Sequence, residues 1–211
     1  MAQETELKLL LDATDVPHLL HHPLLADQQP RRKHLRNTYF DTPALTLMQQ
    51  RIALRERTVG EPGAQQVLLT VKTAGHSVGG LSRRGEWEGP TTPGHWDFAA
   101  LVDDSTLAAQ LSACAAQLVP VFSTDFVRLQ WQIAHGGAVL EVALDQGWIA
   151  AGEARETLLE LELELRSGPE SALLDWAALL TASGPTPGAA WLHPSDRSKA
   201  ERGLALFRQS R

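Results

Sequence analysis

The sequence predicts a mainly β, antiparallel α+β domain, and three observations lead to it. Segment after segment alternates polar and apolar residues with period two, the mark of a strand with one buried face. The polar faces defined in this way sort into acidic and basic groups. Gly- and Pro-containing stretches separate the segments at the spacing of hairpins. Two architectures produce such a pattern. One is an open sheet with a face in water. The other is a closed antiparallel barrel with polar faces turned inward and helices covering an apolar exterior. Composition alone does not choose between them.

The first strand spans about residues 3–12, where Glu4, Glu6 and Lys8 share one face and Leu7 and Leu9 the other. A short helix at Val16–His22 follows, then a strand near 31–41 (RRKHLRNTYFD), a turn at Thr42-Pro43 and a helical piece to Gln49. Strands near 51–58 and 65–73 form a hairpin across a Gly60–Gly63 turn. In the first of these Arg55 and Arg57 oppose Ile52 and Leu54; in the second Thr70 and Lys72 oppose Val67, Leu69 and Val71. Gly75–Gly80 reads as a loop, and 82–89 as a strand with Arg84, Glu86 and Glu88 on one side. Beyond Thr92-Pro93-Gly94, helices are expected at Trp96–Val102 and Ser105–Leu118.

Strands near 121–134, 138–145, 147–152 and 157–166 come next, with Arg128 on one polar face and Glu141 and Asp145 on another. The run LLELELELR at 158–166 is rich in helix formers. Strict alternation would scatter its glutamates around a helix and leave no apolar stripe, so it reads as a strand. A helix at Pro169–Ala182, a Pro/Gly-rich loop at Gly184–Pro194 and a final helix capped by Ser195 and running to about Arg208 complete the chain.

Glu4 and Glu6 at one end of the sequence, with Glu160, Glu162 and Glu164 near the other, stack carboxylates roughly 6.7 Å apart along each strand. Like charges so placed repel unless they are neutralised. A hard divalent cation, Mg²⁺ or Mn²⁺, suits oxygen-only donors and keeps waters that a phosphate can replace. A solvated acidic face is the alternative, and these segments alone leave both open. Lys8, Arg55, Arg57, Lys72, Arg84 and Arg128 all fall on polar faces. That inventory suits a polyanion carried with metal, because guanidinium forks match phosphate oxygens and lysine supplies a compact charge.

At 211 residues with 43% hydrophobic content, one domain spanning 1–211 with a real core is expected. A net charge of −6 argues against non-specific nucleic-acid binding. One cysteine, Cys114, excludes an internal disulfide and a multi-cysteine zinc site. With no long apolar run and no signal-like start, no membrane partner and a cytoplasmic location are expected. His21-His22 reads as a surface pair at a helix end, Arg31–Lys33 as a solvated strand edge or, in a closed barrel, as part of a tunnel mouth, and the six tryptophans as packing between strands and helices. Glycines 75, 79 and 80 lack the following GK[ST] of a P-loop.

In order along the chain, ETELKL, NTYFDTP, ALRER, TVKTAG, RRGEWE, FSTDFVR, EVALDQG, ELELEL and SKAERG resemble the motifs of the CYTH superfamily, the triphosphate tunnel metalloenzymes. Within it the chain is most similar to the bacterial inorganic triphosphatases. The resemblance implies a closed eight-stranded antiparallel β-barrel with helices outside, and metal-dependent hydrolysis of inorganic tripolyphosphate. It implies metal binding by Glu4, Glu6, Glu162 and Glu164, and phosphate binding by Lys8, Arg55, Arg57, Lys72, Arg84, Arg128 and Lys199. Catalytic parts fall to Glu162, Glu164, Lys8 and Lys199. Tyr39, the only tyrosine, shows no sign of the lysine–tyrosine pair of some members. The helical, histidine-rich domain of long members is not expected in this polypeptide. A class IV type adenylate cyclase, a nucleoside or thiamine triphosphatase, and a non-catalytic polyphosphate-binding module are the competing functions. A homodimer is compatible with the family.

Overall fold

A computed structural model describes residues 2–60 and 65–210. Its strands are β1 (Ala2–Leu11), β2 (Arg31–Asp41), β3 (Ala53–Val59), β4 (Gln66–Lys72), β5 (His76–Val78), β6 (Leu81–Thr91), β7 (Val119–His135), β8 (Ala138–Ala151), β9 (Ala154–Ser167) and β10 (Leu192–Pro194). Its helices are α1 (Val16–Leu20), α2 (Pro23–Ala26), α3 (Thr46–Gln49), α4 (Phe98–Leu101), α5 (Ser105–Cys114), α6 (Glu170–Ala182) and α7 (Lys199–Gln209). No helix among the described residues is long and apolar enough to cross a membrane.

The sheet runs β10-β1-β9-β8-β7-β2-β3-β4-β6-β5, and an additional β1–β6 pairing closes it. Strand β1 achieves this by using both edges. Residues 2–7 pair with β6, and Glu6 to Leu10 pair with β9. With β5 and β10 as short appendages, the closed cylinder has eight strands, all antiparallel. Closure removes the sheet edges and forces every second side chain into a confined interior. The acidic strands β1, β9 and β8 then face the basic strands β2, β3 and β4 across the bore.

Outside, two apolar layers carry the helices. Leu9, Leu140, Val142, Leu144, Leu161 and Leu163 pack under α1, α2 and α6, with Leu19, Leu25, Leu173 and Trp176 supplied by the helices. On the other flank Leu54, Leu69, Val71 and Trp87 meet Phe98 of α4 and Leu107 and Leu111 of α5. A third layer lies inside one end of the barrel. The inward rows of β7, β8 and β9 turn apolar there, through Phe122, Phe126, Ile149 and Leu158, and Leu206 of α7 seats on them. Helix α7 starts with a capping box between Ser198 and Glu201. A Cβ at Gly203 would overlap the Phe122 ring, so the close approach of α7 requires glycine at that position.

Several local expectations are corrected. The final helix is capped by Ser198, not Ser195, because the Ser198–Glu201 reciprocal bonds satisfy its first N–H groups. Segments 138–145 and 147–152 are one strand: Gly147 continues the ladder, and a Cβ there would overlap the Asp125 carbonyl across the β7 pairing. Within the supposed Gly75–Gly80 loop, β5 pairs with β6, and within the supposed Gly184–Pro194 loop β10 pairs with β1. Helix at 96–102 contracts to α4, and α5 ends at Cys114 before a 3₁₀ turn. The Gly60–Gly63 turn lies, beyond Gly60, outside the described residues. His22 is buried at 2% exposure and stacks on Trp191, unlike the surface pair expected. Trp148, at 51% exposure, stands largely in solvent and not in the packing between strands and helices expected of it.

The role of Asp41 in the NTYFDTP stretch is structural. Its Oδ1 accepts from the Thr42 and Leu47 amides at 2.7 and 2.8 Å, and its Oδ2 from Met48 at 2.9 Å, tying β2 to α3. Replacing Gly203 by Ala is expected to cost about 1–3 kcal/mol through overpacking against Phe122. Shortening the obstacle with Phe122→Leu should recover part of that loss in the double variant. Denaturant midpoints of the four proteins measure both effects; an unaltered Gly203→Ala midpoint would refute the close-packing account.

Candidate functional site

The barrel interior encloses a cavity of about 1150 Å³. Glu4, Glu6, Lys8, Arg55, Arg57, Lys72, Arg84, Arg128, Glu162, Glu164 and Lys199, named separately by sequence, all line it. Strand parity explains the convergence. Each of them except Lys199, which enters from the first turn of α7, sits on the inward row of its strand, and the pairings set the rows side by side: Glu6 opposite Glu164, Lys8 opposite Glu162, Glu4 opposite Arg84, Arg128 opposite Asp145.

Two charge networks result. In the first, Lys199 Nζ lies 2.7 Å from Asp145, 2.5 Å from Glu160 and 2.8 Å from Glu162. Those three carboxylates have ligand atoms within 4.8 Å of one another, spacing that also suits a metal. Here the ammonium of α7 occupies their centre. Arg128 donates to both Asp145 oxygens at 2.7 Å and to Glu162 at 2.6 Å, while Arg202 donates to Glu160 at 2.9 Å. Burial works against an ionised Glu162, but Lys199, then Arg128 and Lys8, outweigh it and hold its proton affinity well below the carboxylate norm. Burial likewise opposes the charge on Lys199, and Asp145, Glu160 and Glu162 raise its proton affinity above that of a free lysine.

In the second network Lys72 Nζ donates to both Glu4 oxygens at 2.9 and 3.0 Å, and Arg84 Nε donates to Glu4 at 2.6 Å. Glu6 is held more loosely, by Arg84 and Lys8 at 3.4 Å each. Glu164 pairs with Arg166 at 2.7 Å. Even so, burial, aided by Glu4 and Glu141, pushes its carboxyl up to about 8 despite Arg166. The Glu6–Glu164 region is therefore short of positive charge. With oxygen-only donors, it fits a hard divalent cation. Mg²⁺ and Mn²⁺ are both compatible with that donor set.

Three further residues emerge from the geometry. Arg57 Nε donates to Asn37 Oδ1 at 2.9 Å, and Asn37 Nδ2 donates to Thr124 at 2.7 Å, so a buried amide aims the guanidinium. Tyr39 lines the cavity, stacks on Phe122 with centroids 4.2 Å apart, and helps raise the proton affinity of Arg55, which burial opposes and Glu86 and Glu88 support. Lys33 also lines the cavity, which fits the tunnel-mouth reading of that run and not the solvated edge. Alternation along β2 places Lys33, Asn37 and Tyr39 on one row, but only barrel closure identifies that row as inward.

The CYTH domain family profile matches residues 2–186. The inorganic triphosphatase of Haemophilus influenzae is 34% identical over 213 residues, which takes in 98% of this chain and 55% of that protein. This chain thus spans about half the length of the curated relative it matches. Among solved structures, a putative adenylyl cyclase of Hippeastrum, described as having a dominant triphosphatase activity, superposes with a TM-score of 0.65 at 21% identity, covering 99% of this chain and 96% of that one. A Pyrococcus horikoshii protein superposes with a TM-score of 0.58 at 17% identity, covering 95% of this chain and 98% of the other. At such identities these two likenesses establish the fold alone.

Removing Lys199 leaves three carboxylates buried without their central cation. Lys199→Met is expected to cost about 3–5 kcal/mol at neutral pH. The deficit should shrink as pH falls, because protonation relieves the repulsion the ammonium had offset. Thermal melts from pH 5 to 8 test this; a deficit independent of pH would contradict it. Glu164 behaves oppositely to a salt-bridged acid. Its folded proton affinity lies above the unfolded value of about 4.3, so its contribution to stability is full below that pH and is lost as pH rises through about 8. In chelator at pH 8–9, Glu164→Gln should therefore melt higher than the parent, and the difference should vanish near pH 4.

Proposed function

The chain belongs to the CYTH domain family, and on that premise we propose that it hydrolyses inorganic tripolyphosphate to pyrophosphate and phosphate inside the barrel, with residues 1–211 acting as one domain. The observation that carries this reading is the facing of an acidic wall by a basic wall within one cavity of the closed barrel. The 34% identity to an inorganic triphosphatase supports it. Glu6 and Glu164, paired across β1 and β9, would form the centre of the metal site, with Glu4 and Glu162 flanking them. When bound, Mg²⁺ or Mn²⁺ supplies charge neutralisation and a water of lowered pKa.

The chain's own residues do the remaining work. Arg55, Arg57, Lys72, Arg84 and Arg128 bind the phosphate chain and stabilise the charge that develops on the transferred phosphoryl group. Lys8 and Lys199 flank Glu162 and add positive charge where the leaving group separates. Water attacks phosphorus as the bridging P–O bond breaks, and the leaving oxygen keeps the bond's electron pair. Glu164, opposite Glu6 on the cavity wall, is placed to accept the water's proton. Glu162, gripped at both oxygens by Lys199 and Arg128, orients those two cations.

Phosphate and pyrophosphate release from tripolyphosphate, ATP and thiamine triphosphate, each with Mg²⁺, Mn²⁺ or chelator, tests the proposal. Metal-dependent phosphate release from tripolyphosphate is expected, falling at least about 100-fold in Glu6→Gln and Glu164→Gln. Cyclic AMP and pyrophosphate from ATP would instead place the chain among cyclases. Tight binding without turnover of any of the three would make it a binding module.

A further inference from the structure

Two carboxylate clusters in the barrel are filled by a cation of the chain itself, and the two cations differ in how readily they can leave. Lys199, 8% exposed among Asp145, Glu160 and Glu162, belongs to the first turn of α7 and can leave only if the helix lifts. Arg166 fills the second cluster. Its Nη1 lies 2.7 Å from Glu164 Oε1, and the other side of its fork, Nη2 and Nε, donates to Glu141 Oε2 at 2.6 and 3.1 Å. Its side chain is 46% exposed, so rotation into water suffices to vacate the gap between the two carboxylates. A β-bulge puts it there. Leu165 pairs with Leu140 and Ser167 with Val139, which leaves Arg166 as the extra residue on β9. Bulges re-aim side chains at barrel rims, and this one turns the guanidinium over the cavity wall.

Glu141 stands in the same row as Glu6 and Glu164. Glu6 faces Glu164 across β1 and β9, and Glu164 faces Glu141 across β9 and β8. Three carboxylates on adjacent strands are therefore in register, with neighbouring Cβ atoms about 4.5–5.5 Å apart. Other cations serve them weakly. Arg84 and Lys8 are 3.4 Å from Glu6, and Arg128 is 3.8 Å from Glu141. Arg84 lies closer to Glu4, at 2.6 Å, and Arg128 to Asp145, at 2.7 Å. Among the described residues, Arg166 is thus the one close counter-ion of both Glu164 and Glu141. A guanidinium and a hard divalent cation seek the same carboxylate oxygens. Held about 5 Å apart they also repel, even at the dielectric of water.

We propose that Arg166 is the resident counter-ion of the metal site: a divalent cation enters by displacing it, and Glu141 then ligates beside Glu6 and Glu164. This rests on the reading of Glu6 and Glu164 as the metal pair. One cation replaces another, so the row of carboxylates is compensated both before and after the exchange. Before it, the guanidinium offsets the repulsion that would otherwise act along three stacked acids. After it, the freed side chain swings to solvent. Affinity for the ion is accordingly lower than three unopposed carboxylates would give. Lys199, which cannot swing out alone, keeps the Asp145, Glu160 and Glu162 cluster closed to the ion.

Binding of Mn²⁺ alone, followed through the electron paramagnetic resonance signal of the free ion, tests this on the parent protein, Arg166→Gln, Arg166→Lys and Arg155→Gln. Arg155, exposed near the other end of β9, controls for net charge. Arg166→Gln should bind Mn²⁺ about 10-fold more tightly, the size of the repulsion removed at about 5 Å in water. Arg166→Lys, which keeps the charge, and Arg155→Gln should stay within about 3-fold of the parent. Adding Glu164→Gln or Glu141→Gln to Arg166→Gln should abolish the gain, which locates the ion between them. Unchanged or weaker binding by Arg166→Gln, in a parent that binds Mn²⁺ and hydrolyses tripolyphosphate, would overturn the displacement and leave the triphosphatase reading intact. Equal tightening in Arg155→Gln would overturn it too, as an effect of net charge. Tighter binding that needs Glu164 and Glu141, in a parent that hydrolyses no tripolyphosphate, would uphold the displacement and refute the triphosphatase reading. No Mn²⁺ binding by any of these proteins would overturn both.

Discussion

Charge taken into a closed barrel has to be compensated within a few ångströms, and the rest of this structure follows from that constraint. Closure through the two-sided pairing of β1 crowds acidic and basic side chains into an interior where water cannot screen them freely. The strongest answer is the Lys199 ammonium held by Asp145, Glu160 and Glu162. It pins α7 into the barrel end, and α7 in turn buries the apolar rows of β7, β8 and β9. Gly203 and Phe122 then set how closely the helix can approach.

Compensation is uneven, and the unevenness is what gives the cavity a chemistry. Glu4 and Glu162 have cations on both oxygens and stay ionised, whereas Glu164 is left among Glu4 and Glu141 with one exposed arginine. Negative charge is therefore in excess at the Glu6–Glu164 pairing, whereas among the described residues Lys33, Arg51, Arg57 and Arg208 line the cavity with no carboxylate oxygen within 4.0 Å. A cavity with both surpluses is suited to a ligand that brings metal and phosphate together. The folded protein holds these surpluses at some cost in stability, a common feature of functional sites.

Much of the site was legible along the chain because strand periodicity is local. Glu4-x-Glu6-x-Lys8, Arg55-x-Arg57 and Glu160-x-Glu162-x-Glu164 assign their side chains to one face whatever the strand's neighbours are. The helix-or-strand ambiguity of 158–166 was resolved on the same ground, and β9 covers that segment. Less was legible where short pairings or neighbours decide. Segments β5 and β10 are three residues each and look like loop until β6 and β1 supply their partners. Gly147 looked like a break because the close β7 backbone that requires a glycine is far away in sequence.

By itself the sequence determined which side chains share a strand face, and through its ordered motifs it pointed to the eight-stranded fold, since both are carried by residues two apart or by contiguous stretches. Only the tertiary structure decided which face is interior, which cations are cancelled by carboxylates and which remain free. Lys33 is the example: its alternation along β2 is visible in RRKHLRN, but its place in the cavity lining depends on the pairing of β2 with β7 and β3. Electrostatic energy depends on separations in space between residues a hundred positions apart, and the chain specifies those separations only once the barrel has closed.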